Sequence, residues 1–269
     1  MAMNEVRLNA FLTKAVADLG AAMSAVLISI GDTLGYYRAL GRARLTPAEL
    51  ARETGTDERY AREWLGNQAA GGYVDYDRQT GQYFLNEEQN LCLADPHGPA
   101  DLPGAYEIVR DLFHVRDQAV ANFRSGQGME WGQHHACLFH GTERFFRPGY
   151  KMNLLSSWLP ALDGLVDKLQ RGARACDVGC GHGASTILMA RAFPNSEFIG
   201  VDYHDESINT ARQRAAEAGV SNARFEIADA VSYTEGNLDF IAFFDCLHDM
   251  ADPSSAARHA RQALKADGH

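Results

Sequence analysis

The stretch RACDVGCGHGASTILMA, residues 174–190, decides the fold of this chain. An apolar run leads to Asp177, glycines follow at alternate positions 179, 181 and 183, and the remainder favours a helix. A glycine-rich turn between a strand and a helix lets a ligand approach the backbone closely. The turn is therefore predicted to bind either a pyrophosphate or a nucleoside without phosphates. The alternative is that it binds no ligand and is purely structural.

From residue 171 onward the sequence predicts alternating strands and helices. Such alternation is typical of a parallel sheet of Rossmann type, and ligands of such sheets lie beyond the carboxyl ends of the strands. The predicted strands are 175–178, 197–201, 224–228 and 239–244, and the predicted helices are 184–193, 207–219 and 253–266. The expected fold class is therefore α/β, a Rossmann-like parallel sheet preceded by a mainly helical winged-helix domain.

The residues of the glycine turn leave its ligand open. Gly179, Gly181 and Ala184 satisfy the dinucleotide fingerprint GxGxx(G/A). Asp202 follows Gly183 by nineteen residues, where a ribose-binding carboxylate belongs. The pattern suits a nicotinamide-dependent dehydrogenase as readily as any other protein that binds an adenosine ligand.

Acidic residues at the ends of the later strands favour a nucleoside ligand. Asp229 closes the strand in FEIADA, and FFDCLHDM places Asp245 and His248 at the carboxyl edge of the sheet. Over residues 171–268, the motifs DVGCGHG, VDYHDES, ADA and FFDCLHDM resemble, in this order, those of the class I S-adenosylmethionine-dependent methyltransferases. The resemblance implies S-adenosylmethionine as cofactor and methyl transfer to a small-molecule acceptor. A dehydrogenase would carry none of the later motifs.

The resemblance also implies roles for residues around the methionine portion of the cofactor. Gly179, Cys180 and Gly181 would pass under that portion, where a glycine Cβ would collide with it. Asp245 would lie near the cationic amino-acid end. Asp177 is included among the cofactor-binding residues, although it is expected to orient the loop from beneath.

Four further residues are implied at the nucleoside portion. Asp202 would accept hydrogen bonds from both ribose hydroxyls, which one carboxylate can do. Tyr203 would pack on the adenine, and Asp229 would accept from the adenine amino group with Ala230 alongside.

His248 is the candidate general base. Its motif LHDM is similar to the LHDW of plant-type O-methyltransferases, whose histidine is catalytic, and a histidine titrates near neutral pH. Met250 replaces the tryptophan of that pattern. The alternative is that His248 only shapes the pocket.

Residues 41–95 are predicted to form a winged helix-turn-helix. Thr46, Pro47 and Glu49 are typical of a helix start with a capping box, a second helix runs from Thr56 to the glycines at 71 and 72, and two short strands flank Gly81. The segment carries six Arg or Lys against ten Asp or Glu. Because a DNA reader should be basic, we expect a scaffold rather than a nucleic-acid partner.

The same winged-helix arrangement is familiar in bacterial and plant small-molecule methyltransferases, where it mostly builds a dimer. The resemblance therefore implies a homodimer, formed with the N-terminal helices in residues 1–40. The alternative is a transcriptional regulator whose winged helix binds DNA and whose second half senses the cofactor.

Residues 96–170 are predicted to be a helical linker and substrate lid, with one long helix over 150–170. Within it, HHACLFH offers His134, His135, Cys137 and His140 to a metal, but no second ligand group stands nearby in sequence. We therefore predict no metal. His134, His135 and residues 145–150 are instead candidates for lining a pocket.

The composition indicates a cytoplasmic protein without a membrane span. The net charge of -10 and a sequence pI of about 5.4 argue against a phosphate-backbone binder. The longest uncharged run near the N-terminus has thirteen residues, whereas a span needs about 20. The five cysteines lack zinc-type or redox spacing and are expected to be reduced thiols.

The final expectation concerns residues 171–269, the predicted cofactor domain. Members of the resembled family continue past LKxxG with a fifth strand and an antiparallel pair, which this sequence lacks. We therefore expect a truncated form of a longer protein, and an open hydrophobic edge along strand 239–244.

Overall fold

The computed structural model describes residues 3–269 and divides the chain into two compact units, Met1–Phe113 and His114–His269. The four segments predicted from the sequence subdivide these units differently and stay predictions. The elements of the first unit are α1 (Glu5–Thr33), α2 (Tyr36–Arg42), α3 (Pro47–Thr54), α4 (Glu58–Ala70), β1 (Asp75–Asp77), β2 (Gln82–Phe84), α5 (Glu87–Leu93) and α6 (Leu102–His114), the last of which ends at the junction.

The winged helix-turn-helix of the first unit has the predicted order. The Oγ1 of Thr46 accepts from the Glu49 amide while the Glu49 carboxylate accepts from the Thr46 amide, so the capping box is confirmed. Strands β1 and β2 pair antiparallel around Gly81, which has a φ of +72°.

Helix α4 differs from its prediction in two respects. Its cap is Asp57, whose carboxylate accepts from two backbone amides, so the helix begins later than Thr56. Its buried face is formed by Ala61, Trp64 and Leu65, whereas Tyr60, which would be expected to share the face of Trp64 and Leu65, is exposed.

Helix α1 is 29 residues long, and its large apolar side chains are mostly exposed. By length and mean hydropathy alone it could cross a membrane, and 11% of its most apolar window is buried within the described chain. The expectation of no membrane span therefore stays a prediction.

The second unit carries a four-stranded parallel sheet of order β5-β4-β3-β6. This order reverses direction between β3 and β6, and crevices for ligands form at such a reversal, beyond the carboxyl ends of the strands. Its elements are α7 (Arg116–Ser125), α8 (Ala136–Gly149), α9 (Leu165–Arg171), β3 (Arg174–Val178), α10 (Ala184–Ala192), β4 (Glu197–Asp202), α11 (Asp205–Glu217), β5 (Ala223–Ile227), β6 (Phe240–Ala242) and α12 (Pro253–Ala263). The Rossmann-like fold class is thus confirmed.

The long helix predicted over 150–170 is wrong. A π-helical segment, Tyr150–Trp158, follows α8 directly, and α9 begins only after Gly164, whose φ is +72°. The last turn of the π-helical segment is closed by a bond from the Leu159 amide to the carbonyl five residues earlier. Pro160 and Gly164 interrupt the helix, since proline lacks an amide donor and the glycine conformation is left-handed.

The outer edge of β6 is also not open as expected. The chain after α12 pairs along it: the Ile241 amide donates to the His269 carbonyl at 2.9 Å, and the His269 amide donates to the Asp239 carbonyl at 3.0 Å. Lys265 adds an ion pair to Asp239 at 2.8 Å. The edge groups of residues 238–241 are therefore largely satisfied within the chain.

Candidate functional site

The glycine turn is held against the end of β4 by its backbone. The amides of Gly179 and Cys180 donate to the carbonyl of Val201 at 2.8 and 3.1 Å. The three glycines have φ values of +73°, +52° and +77° along the chain. Because side chains rarely adopt this left-handed region, the alternate glycine spacing follows from the backbone itself.

Each glycine meets a different neighbour. A Cβ on Gly179 would lie 2.6 Å from the Sγ of Cys246, and a Cβ on Gly183 would lie 2.7 Å from the ring of Phe225. A Cβ on Gly181 would have no protein atom within 4 Å. Protein atoms thus fill the space beside Gly179 and Gly183, whereas the space beside Gly181 is open to a ligand. The expected collision of a glycine Cβ with the cofactor stays a prediction.

Asp202, at the end of β4, joins the turn to the strand. One carboxylate oxygen accepts from the Gly181 amide at 2.9 Å, and the other accepts from the His204 amide at 3.0 Å. Each oxygen retains a second lone pair for a ligand hydroxyl.

Asp177 lies beneath the turn rather than in it. Its Oδ2 accepts from the hydroxyls of Ser185 and Thr186, both at 2.6 Å, and it is 1% exposed. Burial raises the pKa of the carboxyl, and its Oδ1 is a buried atom without a hydrogen-bond partner. A buried acceptor without a partner is costly, so this oxygen lowers the stability of the turn unless it is protonated.

A cavity of about 770 Å³ opens beyond the carboxyl ends of the strands. That volume falls within the range of small-molecule sites. Of the residues predicted to bind cofactor, eight line it: Gly179, Cys180, Gly181, Asp202, Tyr203, Asp229, Ala230 and Asp245. Asp177 and His248 do not line the cavity. The cofactor-binding and catalytic roles predicted for all these residues stay predictions.

Asp245 has the conformation of a glycine, with a φ of +52°. Asparagine and aspartate tolerate this region better than other residues do. The next residue, Cys246, has a thiol that donates to the Val178 carbonyl at 3.0 Å, and burial raises its pKa to about 12. The thiol therefore stays protonated and packs against Gly179 instead of acting as a nucleophile.

Helix α8 supplies one wall of the cavity that the sequence analysis identified only in part. Phe146 and Tyr150 were pocket candidates and do line the cavity, whereas His134 and His135 do not. Glu143 was missed, although it lies three residues before Phe146, on the same helix face. Helical spacing from the aromatic residues is the signal that could have identified it.

Glu143 is a nearly buried carboxylate, 7% exposed, with two arginine partners. Arg214 of α11 approaches its Oε2 to 2.9 Å, and Arg147 approaches its Oε1 to 3.4 Å. The ion pair with Arg214 joins α8 to α11. Removing both arginines would leave a buried charge uncompensated.

His182, within the glycine turn, is part of the cavity wall. Burial, followed by the charge of Arg214, lowers the pKa of His182 to about 4. The imidazole is therefore neutral at pH 7, and its Nδ1 is buried without a hydrogen-bond partner.

His248 lies outside the cavity lining, with a side chain that is 70% exposed. Its Nε2 is 3.3 Å from the carboxylate of Asp249, which does line the cavity. The general-base role of His248 therefore stays a prediction.

The lining of the cavity is acidic. Seven carboxyl side chains contribute to it: Glu130, Glu143, Asp202, Asp229, Asp245, Asp249 and Asp252. Within residues 3–269, His182 is the only histidine in that lining, and no lysine or arginine contributes to it.

A separate group of possible metal ligands is formed by His114, His135 and Cys137, whose ligand atoms lie within 4.8 Å of one another. The two imidazoles stack at 4.1 Å with planes 10° apart. Lone pairs in parallel ring planes do not converge on one ion, so the stack would have to break before a metal could bind. The absence of a metal stays a prediction.

The donor set fits S-adenosylmethionine. Gly181 leaves room for a ligand against the backbone, and Asp202 offers two acceptors for vicinal hydroxyls. The acidic lining also suits a cofactor that carries a sulfonium and an ammonium group.

Two family models match the chain. Residues 169–269 match a methyltransferase domain, and residues 22–95 match an Rv2258c-like winged HTH domain.

Curated relatives cover part of the chain. A tRNA (guanine-N(7)-)-methyltransferase of Shewanella halifaxensis is 34% identical over 40% of this chain and 46% of its own length. A ubiquinone biosynthesis O-methyltransferase of Acinetobacter baylyi is 25% identical over 58% of this chain and 61% of its own length. The chain therefore spans about half the length of these relatives.

Solved structures share the fold over the whole chain. Human N-acetylserotonin methyltransferase in complex with SAM superposes with a TM-score of 0.63 at 17% identity, covering 100% of this chain and 80% of that one. At this identity the likeness concerns the fold alone.

Proposed function

Because this chain carries a methyltransferase domain of the class I fold behind an Rv2258c-like winged HTH domain, we propose that it transfers a methyl group from S-adenosylmethionine to a small-molecule acceptor. The observation that carries the proposal is Asp202, a carboxylate at the end of β4 held by the amide of Gly181, where no Cβ obstructs a ligand. The motif order and the acidic cavity support it.

In this proposal the chain contributes binding, alignment and exclusion of water. Asp202 accepts from the ribose hydroxyls, Tyr203 packs on the adenine, and Asp229 with Ala230 recognises its amino group. Gly179, Cys180 and Gly181 support the methionine portion, and Asp245 lies near its ammonium group. S-adenosylmethionine, when bound, supplies a methyl group on an electrophilic sulfonium.

The acceptor is held on the α8 side of the cavity. Phe139, Phe146 and Tyr150 offer aromatic surfaces there, which favour a flat apolar acceptor. In-line displacement requires alignment, and a hydroxyl acceptor also requires loss of a proton. His248, paired with Asp249 at the rim, is the proposed base for that proton.

Calorimetric titration tests the cofactor assignment. We expect S-adenosylhomocysteine to bind with a micromolar dissociation constant and NADH to give no heat, because the cavity presents carboxylates and no cation to a pyrophosphate. Binding of NADH alone would refute the proposal in favour of a dehydrogenase.

The regulator alternative gains no support from the winged helix. Of the basic residues on α4, Arg62 is already paired with Glu58, so the helix offers little net positive charge to DNA.

The partner we propose is a second copy of the chain. Exposed apolar residues on α1 recur with alternating spacings of four and three: Leu12, Val16, Leu19, Met23, Val26 and Ile30. This is the heptad pattern of a coiled-coil seam, and it continues for about five turns. An apolar stripe of this regularity on a solvent-facing helix favours a homodimer built by α1.

A charge in this stripe should dissociate the dimer. We expect Leu19→Glu to raise the dimer dissociation constant by at least about 100-fold, because each copy would bury an unpaired carboxylate. Light scattering after size-exclusion chromatography measures the mass. The matched control Ala21→Glu adds the same charge outside the stripe and should leave the dimer intact; a Leu19→Glu protein of unchanged mass would contradict the proposed interface.

A further inference from the structure

The charge of the cavity limits which acceptors it can take. Seven acidic side chains line it, whereas its one imidazole, His182, is neutral at pH 7 because burial lowers its pKa to about 4. No positive side chain in the described lining offsets the carboxylates.

The surroundings of the lining provide little compensation. Glu143 is paired with Arg214 and Arg147 from behind. Within residues 3–269, none of the other six carboxylates has a lysine or arginine within ion-pair distance, and Asp249 pairs only with the exposed His248. An anion that enters the cavity therefore meets like charges at short range without a donor cation.

The carboxylates predicted to bind cofactor are Asp202, which ends β4, and Asp229 and Asp245, which follow β5 and β6. The second group is Glu130, which precedes α8, Glu143 within α8, and Asp249, which lies beyond Asp245 in the chain. Cofactor binding would cover the first group. The second group remains to face the acceptor, among the aromatic residues of α8.

We propose that this site accepts neutral or cationic aromatic small molecules and rejects acceptors that bear a carboxylate, sulfate or phosphate group. This inference rests on the proposed function, because only a methyltransferase would use the bound molecule as an acceptor. The charge selectivity of the cavity itself can be measured without turnover. Glu130 and Asp249 act as specificity-determining residues, because like-charge repulsion selects against anions without forming a contact to the correct acceptor.

A pair of fluorescent probes with one aromatic skeleton tests this selectivity without turnover. N-phenyl-1-naphthylamine is neutral, and 1-anilinonaphthalene-8-sulfonate adds one negative charge. Both are titrated into the full chain, with and without saturating S-adenosylhomocysteine. Thr142→Trp places a large ring in the cavity wall and should block binding there. The part of each fluorescence signal that this variant loses therefore arises in the cavity rather than on α1.

We expect the neutral probe to bind the cavity at least about tenfold more tightly than the anionic probe. The preference should shrink as salt rises from about 0.02 to about 0.5 M, because salt screens exposed charges. Combining Glu130→Gln with Asp249→Asn should improve binding of the anionic probe by at least about threefold and leave the neutral probe unchanged. Glu217→Gln, an exposed neutralisation on α11 outside the lining, should alter neither.

Equal cavity binding of the two probes would overturn the inference, and so would cavity binding of neither. Failure of the proposed function is distinguishable, because it would appear as absent S-adenosylhomocysteine binding while the probe preference, measured without that ligand, persisted.

Discussion

Replacing Asp202 with alanine is expected to lower the affinity for S-adenosylhomocysteine by at least about 100-fold. In the proposed complex the carboxylate accepts from two ribose hydroxyls, and hydrogen bonds to a charged group contribute about 1.5–3 kcal/mol each. The substitution also releases the Gly181 amide, which donates to Asp202 Oδ2 at 2.9 Å, so the turn loses one of its contacts with β4. Calorimetric titration measures the change.

Two variants separate these contributions. Asp202→Asn keeps an oxygen for the Gly181 amide but loses the charge and one acceptor, and should lie between alanine and the native protein. Asp205→Ala removes a carboxylate of the next helix that accepts from the Glu206 amide and does not line the cavity, and should bind normally. An Asp202→Ala protein that binds within threefold of the native one would show that the ribose lies elsewhere.

Gly179→Ala should have the largest effect on stability. Its Cβ would lie 2.6 Å from the Sγ and 2.7 Å from the Cβ of Cys246, and alanine would also have to adopt a φ of +73°. Overpacking and left-handed strain together should lower the free energy of unfolding by roughly 2–5 kcal/mol. Urea denaturation measures the loss.

Gly181→Ala is the matched control for backbone strain. Its φ is +52° and no protein atom surrounds the new Cβ, so we expect a stability loss of about 1–2 kcal/mol but a clear loss of S-adenosylhomocysteine affinity. Adding Cys246→Gly to Gly179→Ala should restore only the part of the stability loss that comes from steric overlap with Cys246. If Gly179→Ala unfolds at the urea concentration of the native protein, the packing described for Cys246 is wrong.

The elements that sequence analysis predicted correctly carry local signals. The capping box at Thr46, the turn at Gly81 and the alternation after residue 171 each depend on residues only a few positions apart. Helix caps and turns are determined at that range, so composition and spacing are sufficient.

The features that escaped prediction depend on distant partners. Glu143 and Arg214 are 71 positions apart, and nothing in either segment indicates the other. The neutral state of His182 likewise follows from what surrounds it, since the sequence alone favours an exposed imidazole beside a glycine turn. The π-helical segment at Tyr150 was also not predicted, because the apolar spacing of residues 150–170 fits a continuous α-helix equally well.

The contacts of Phe225 constrain how this site can diverge. Its ring occupies the space that a Cβ would need at Gly183 in the turn and at Gly200 in β4, at 2.7 and 2.5 Å respectively. A larger residue at either glycine is therefore blocked while the ring is present, and loss of the ring leaves a void until a glycine changes. A single substitution at any of the three positions therefore gives a destabilised protein. We expect Gly183, Gly200 and Phe225 to be retained together during evolution, or to change together in descendants of this chain.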